Sequence, residues 1–177
     1  MPDSDHVHLR PITEQDLDLL ERLHDDPAEA GELGFFGYRD PRQLRRQWAE
    51  NGFLSPQGGR LAVAGDEGRL IGEVQWHEVR HGFLSPCWNI GISLLTAERG
   101  KGHGTRAQRQ LVEYLFAHTK ANRIEAGTEV VNIPEQRALE RAGFTREGVL
   151  RGAYFRGGVW RDMAQYSVLR AEVVAGA

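Results

Sequence analysis

The chain has 177 residues, 40% hydrophobic and 27% charged, the balance of one globular domain that can fill a single core. Twenty-two Lys and Arg against 25 Asp and Glu leave a formal charge of −3, so no basic field is available for a phosphate backbone and a nucleic-acid partner is not expected. The one cysteine, Cys87, excludes an internal disulfide and a cysteine-based zinc site, and no apolar run reaches the roughly 18 residues that cross a bilayer. Residues 1–8 are polar and acidic rather than leader-like, so a cytoplasmic protein without a membrane partner is expected.

Residues 8–12 read as a short first strand closed by Pro11. Thr13 and Asp16 form a capping-box pair ahead of Leu17, Leu20 and Leu23, an amphipathic helix. Asp40-Pro41 reads as an N-cap followed by proline at the first helical position, opening a second helix that runs through Trp48 and ends at Gly52. Residues 61–63 and 70–74 flank Gly65-Asp66-Glu67-Gly68, a hairpin signature. A polar loop around His81-Gly82 precedes a strand over residues 87–95. After a glycine-rich stretch, Ala107, Leu111, Tyr114, Leu115 and His118 recur at three- and four-residue spacing, the buried face of a long helix. A strand over residues 123–131, a short helix from Pro134 to Gly143, and a closing hairpin of residues 144–150 and 159–169 complete a mixed α+β chain on a largely antiparallel sheet.

The most informative stretch is Arg99-Gly100-Lys101-Gly102-His103-Gly104-Thr105, between a strand and a helix. Three glycines in five residues let a ligand approach the backbone closely, and the free N–H groups and positive end of the following helix suit a phosphate or pyrophosphate. Lys101 and Arg106 would add charge-assisted hydrogen bonds. No lysine has the context of a Walker loop, and Thr105 stands where a dinucleotide fingerprint needs glycine. A surface turn is the plain alternative.

The spacing Arg99-x-x-Gly102-x-Gly104 resembles the acyl-CoA-binding motif of the GCN5-related N-acetyltransferases (GNAT). The blocks Asn132-x7-Glu140-x2-Gly143-Phe144-x2-Glu147-Gly148 and Gly158-x3-Asp162-x3-Tyr166-Ser167-x-Leu169 are similar to the RimJ/RimL-like branch, which acetylates ribosomal-protein N-termini. The resemblance implies one domain over residues 1–177, its core about residues 8–170, with a sheet of about 6–7 strands and about four helices. It further implies two central strands, residues 87–95 and 123–131, splayed around acetyl-CoA as cosubstrate, with no metal. The backbone at Leu94 would bond the pantetheine arm, and Arg99 through Thr105 (Gly100, Lys101, Gly102, His103 and Gly104 between them) would hold the pyrophosphate. Asn132 matches a pantetheine contact and also reads as a helix N-cap before Pro134.

Such chemistry needs a neutral amine, a donor for the oxyanion and, optionally, a proton for the leaving thiolate. A backbone N–H near Leu94 can serve as that donor. Glu73, His77, Glu78, His81 and Glu129 are the base candidates, Glu73 foremost, with deprotonation through water as the alternative. Glu135 stands where many relatives carry a serine proton donor, and Leu139 where others carry tyrosine. Glu135 therefore reads either as an acid with a raised pKa or as a first-turn carboxylate favoured by the helix dipole. Trp76, His77, Trp88 and Tyr154 are the acceptor-side candidates, with core packing as the alternative for the aromatic ones. Cys87 has no recognisable His and carboxylate partners and reads as a buried thiol. The expected activity is acetyl transfer to a primary amine, either a protein N-terminus or a small molecule; the slight net acidity favours a small cationic or neutral acceptor. A non-catalytic acyl-CoA-binding module is the alternative, and the resemblance is compatible with a homodimer.

Overall fold

The computed structural model describes residues 7–174, so most of the polar start and the last residues of the expected domain lie outside it. Strand β1 (His8–Arg10) ends at Pro11, and the capping box expected at Thr13 and Asp16 closes a turn of 3-10 helix into α1 (Leu17–Asp25). Burial pushes the Asp16 carboxyl up, but the Arg10 guanidinium 2.7 Å away and the Thr13 hydroxyl and N–H, each at 2.8 Å, outweigh it and bring it down to about 2.

Asp26 then caps α2 (Pro27–Ala30), a single turn too short to show periodicity in the sequence. Helix α3 (Gln43–Asn51) begins two residues later than the Asp-Pro pair implied, because Asp40 Oδ1 accepts the Arg42 N–H at 2.9 Å and holds a turn there. Gly52, at φ +63°, closes the helix as expected.

The remaining elements are β2 (Leu54–Ser55), β3 (Gly58–Ala64), β4 (Leu70–Arg80), β5 (Pro86–Leu94), α4 (His103–His118), β6 (Arg123–Glu129), α5 (Ile133–Arg141), β7 (Thr145–Arg156), β8 (Val159–Leu169) and α6 (Arg170–Val174). They form one mixed sheet of eight strands in the order β1-β3-β4-β5-β6-β8-β7, with β2 on β3. Six helices flank it, two more than expected. None of the described helices is long and apolar enough to cross a membrane.

All pairings are antiparallel except β5 with β6, and that ladder is short: Trp88, Asn89 and Ile90 pair with Ile124, Glu125 and Ala126. Beyond Ile90 the two central strands separate, as the resemblance implied. On one face α4 buries Ala107, Leu111 and Leu115 against the sheet, joined by Val112 and Phe116. Tyr114 and His118 do not belong to that face; both are exposed and their rings lie 4.9 Å apart. On the other face α1 packs Leu17, Leu20 and Leu23 against Ala62 and Leu70.

Candidate active site

The glycine stretch is a cradle of backbone donors. Gly100 and Gly102 sit at φ +76° and +82°, and a Cβ added at either would meet nothing within 4 Å. The N–H groups of Gly100, Lys101, Gly102, Gly104 and Thr105 find no acceptor among the described residues. Unpartnered donors gathered at the positive end of a 16-residue helix fit a pyrophosphate.

Its side chains hold the loop rather than reach into it. Arg99 Nε donates to the Leu94 carbonyl at 2.9 Å, and Nη2 donates to the Glu29 and Ala30 carbonyls of α2. Glu98 gathers Arg69 at 2.8 Å, Lys101 at 3.1 Å and His103 Nδ1 at 3.6 Å. Arg69 and Lys101 keep the Glu98 carboxyl below its usual range. Lys101 is therefore committed to a neighbouring carboxylate, and the contribution of this loop to anion binding is chiefly its backbone.

The gap between β5 and β6 supplies a second row of donors. Leu95 N–H donates to the Ile71 carbonyl at 3.0 Å, so strand alternation turns the backbones of Leu94 and Ile92 toward the opposite edge, past the end of the β6 ladder. With the Leu94 carbonyl taken by Arg99, its N–H remains on the gap. A cavity of about 250 Å³ opens here, floored by Gly91, Ser93 and Thr128 and walled by α1 and residues 33–39.

Titratable groups converge on this cavity. Glu135, in the first turn of α5, lines it, and burial raises its carboxyl from 4.5 to about 7, partly opposed by the Gln108 side chain of α4. Asn132 also lines it while capping α5: Oδ1 accepts the Glu135 N–H at 3.4 Å and Nδ2 donates to Thr128 Oγ1 at 2.9 Å. Both roles weighed for Asn132 are thus sterically open. Glu129 faces the cavity but is clamped by Arg156, whose Nε and Nη2 lie 2.5 and 3.0 Å from its two oxygens. That guanidinium holds the carboxyl below its usual range, so Glu129 is a poor proton acceptor. Tyr154 lines the wall against Phe36, with ring centroids 5.5 Å apart, and burial raises its hydroxyl.

Glu73 lies beneath the cavity floor, 1% exposed, and Oε1 takes both His24 Nε2 at 2.6 Å and Arg60 Nη1 at 2.8 Å. Burial pushes its carboxyl up, but the hydrogen bond from His24 and the charge of Arg60 win and hold it low. Among the described residues Glu73 therefore cannot meet an acceptor directly; His24 and Arg60, which line the cavity, stand in between. Neither was singled out in the sequence. The available signal was His24 itself, four residues after Leu20 on the flank of the apolar stripe.

The other acceptor-side candidates are elsewhere. Trp76 and Trp88 are core residues on the α4 side, Trp76 against Tyr114 and Trp88 donating to Thr119 Oγ1 at 3.0 Å. His77 is exposed on β4 outside the cavity, and Glu78 pairs with Arg80. Cys87 is not isolated as expected: its Sγ, a ring nitrogen of His81 and an oxygen of Glu125 lie within 4.8 Å of one another. The thiol is nevertheless buried and pushed up to about 11 by burial and by Glu125. Glu125 Oε1 already takes His81 Nε2 and Arg123 Nε, each at 2.6 Å. Burial and the Glu125 charge disfavour a thiolate, and the Arg123 guanidinium on the shared carboxylate oxygen disfavours a bound cation.

A family model described as an acetyltransferase (GNAT) domain matches residues 6–145. The chain is 39% identical over 112 residues to the probable N-acetyltransferase YjcK of Bacillus subtilis (strain 168), a match spanning 63% of this chain and 61% of that protein. It is 28% identical over 181 residues to the putative ribosomal N-acetyltransferase YdaF of the same strain, spanning 96% and 94%. The fold matches a crystal structure of spermidine N-acetyltransferase from Vibrio cholerae in complex with CoA and spermine at a TM-score of 0.82 and 20% identity, over 95% of this chain and 98% of that one.

Proposed function

Because this chain belongs to the acetyltransferase (GNAT) domain family and is an acetyl-CoA-dependent N-acetyltransferase, we propose how its own residues divide the reaction. The observation that carries the reading is the set of N–H donors of Gly100, Lys101, Gly102, Gly104 and Thr105 with no acceptor among the described residues, continued by Leu94 along the gap between β5 and β6. The loop takes the pyrophosphate of acetyl-CoA, while Leu94 and Asn132 take the pantetheine arm. The same row ends at the cavity, so a gap-side N–H of β5 donates to the oxyanion. Glu135 then protonates the departing thiolate: burial leaves it a substantial protonated fraction near neutral pH, which an exposed carboxylate lacks. The chain acts as one domain.

The acceptor is a primary amine carried on a body that is neutral or anionic. The cavity's carboxylates are Glu129, satisfied by Arg156, and Glu135, against the cations Arg60, itself satisfied by Glu73, and Arg39. A polyamine needs several unpaired carboxylates, and this wall does not offer them. Its volume of about 250 Å³ suits one residue-sized group, such as the end of a peptide chain or a small amine. The similarity to a putative ribosomal N-acetyltransferase and the RimJ/RimL-like blocks support the peptide end.

Thermal melting with acetyl-CoA, CoA and ATP in parallel tests the cofactor assignment. A ligand at about a hundred times its dissociation constant stabilises by about 2.7 kcal/mol, several degrees at this length. A shift with acetyl-CoA but not ATP is expected; equal shifts with ATP would overturn it.

A further inference from the structure

We propose that His24 is the group that takes the proton from the acceptor amine, with Glu73 positioning its ring and Arg60 holding the same Glu73 oxygen in place. The proposal rests on the acetyltransferase reading above, and none of the sequence motifs pointed to His24.

The geometry assigns the tautomer. Glu73 is held in its carboxylate form, so the proton in the 2.6 Å contact sits on His24 Nε2, and the ring's lone pair is on Nδ1. Nδ1 has no partner among the described residues, and His24 lines the cavity. Oε1 of Glu73 accepts from both His24 and Arg60, while its buried Oε2 accepts from nothing. A fully buried carboxylate committed to one imidazole and one guanidinium is costly to bury. Its evident effect is to fix the orientation of the His24 ring at the cavity wall. The other carboxylate facing the cavity that could compete as base is Glu135, in the first turn of α5 and assigned above to the leaving thiolate. Glu129 is held by Arg156.

The charged groups facing His24 are Glu73 from β4 and Arg60 from β3, with Arg39, Glu129 and Glu135 elsewhere around the cavity. On α1 itself Asp18 and Glu21 are occupied by Arg45 of α3, and Arg22 pairs with Glu29 of α2. In the step, Nδ1 takes one proton from the acceptor ammonium and later gives it to solvent. The freed nitrogen lone pair forms the N–C bond to the thioester carbonyl, and the C–S bond breaks with its electron pair on sulfur. Sulfur gains its proton from Glu135, and the second proton lost by nitrogen restores that acid.

The test uses the full chain, with CoA release measured on two amines, a tripeptide with a free α-amine and spermidine. His24→Ala is expected to lower kcat/KM at neutral pH by about a hundredfold or more, in the range of general-base contributions. The deficit shrinks as pH rises and the amine loses its proton unaided, added imidazole restores turnover, and the melting shift with acetyl-CoA is retained. Glu73→Gln, which loosens the hold on the ring, lowers kcat with KM little changed and retains the melting shift with acetyl-CoA, whereas a merely structural role would move the melting behaviour and KM together. Near wild-type turnover in H24A, or a loss that is constant with pH and unresponsive to imidazole, overturns the role of His24. Loss of the acetyl-CoA shift in H24A overturns it too, by showing that the residue acts through the fold. A wild-type chain that binds acetyl-CoA but releases CoA with neither amine overturns the acceptor reading instead, and this proposal with it.

Discussion

At the scale of single residues, chemistry is set by what buries each carboxylate. Glu73, Glu129 and Glu135 all sit at or beneath one cavity, yet the first two are held charged by cations and the third has none beside it. For Glu135 the folded pKa, about 7, lies above the ordinary 4.5. The fold therefore favours the protonated form, and its stabilising contribution is complete below about pH 4.5 and lost as pH rises through about 7. Glu135→Gln, a neutral mimic, is expected to melt with the wild type at pH 4.5 and a few degrees above it at pH 8. Its kcat falls about tenfold to a hundredfold at neutral pH, and the alkaline limb of the wild-type profile disappears. Melting curves and pH–rate profiles check both; a variant with wild-type kcat would remove Glu135 from proton transfer. The sequence could place Glu135 by its distance from Asn132, three residues along the first turn of α5. It could not supply the protonation state, because that follows from packing beside α4, twenty-seven residues upstream at Gln108. His24 escaped for a related reason: its partners Glu73 and Arg60 come from strands that the chain reaches only later.

At the scale of elements, the sequence was most legible where a local rule acts alone. The Thr13–Asp16 capping box, Gly52 and, on α4, Ala107, Leu111 and Leu115 all fall where residue chemistry demands them, while Tyr114 and His118 lie off that face. It was least legible where neighbours compete: Asp40 turns its side chain back on Arg42 and delays α3, and Trp76 and Trp88 go to the core because their strands alternate toward α4. The glycine loop combines both situations. Its donors follow from glycine and a helix start, but Arg99 serves the loop by clamping it to α2, a contact between residues seventy apart in sequence. Gly102 is the position where backbone and ligand requirements coincide. At φ +82° a side chain costs about 1–2 kcal/mol, and the space around it is open, so the domain survives the change. Gly102→Val is therefore expected to stay folded, melting a few degrees lower, while its branched side chain fills the cradle and abolishes the acetyl-CoA melting shift. A normal shift in this variant would move the pyrophosphate elsewhere.

At the scale of the whole molecule, the sheet consists of two antiparallel halves joined by the three-residue ladder between β5 and β6. A gap that admits a cofactor is also a place where the halves are weakly held, so other contacts must join them. Arg156 of β7 is one of them: it bonds both oxygens of Glu129 on β6 within its own half and reaches across, through Nη1, to the Glu32 carbonyl at 2.5 Å, in the segment after α2. One buried guanidinium thus ties the closing hairpin, a central strand and the wall of the acceptor cavity. Removing it strands a carboxylate that is 4% exposed, and losing one partner of a buried pair costs about 3 kcal/mol at the lower end of the usual range, the end suited to a pair beside an open cavity. At this chain length that is about 6 to 12 °C of melting temperature. Glu129 is held below its ordinary pKa by Arg156, so the pair's stabilisation is present above about pH 4.5 and is lost as pH falls through the folded value. Arg156→Ala is therefore expected to lose most stability at neutral pH and little in acid. Glu129→Gln in the same chain should recover part of the loss, because no uncompensated charge remains. Thermal melts of the two single variants and the double variant across pH decide it: additive, pH-independent losses would mean that Arg156 acts only by packing and by its bond to Glu32, and not through the charge on Glu129.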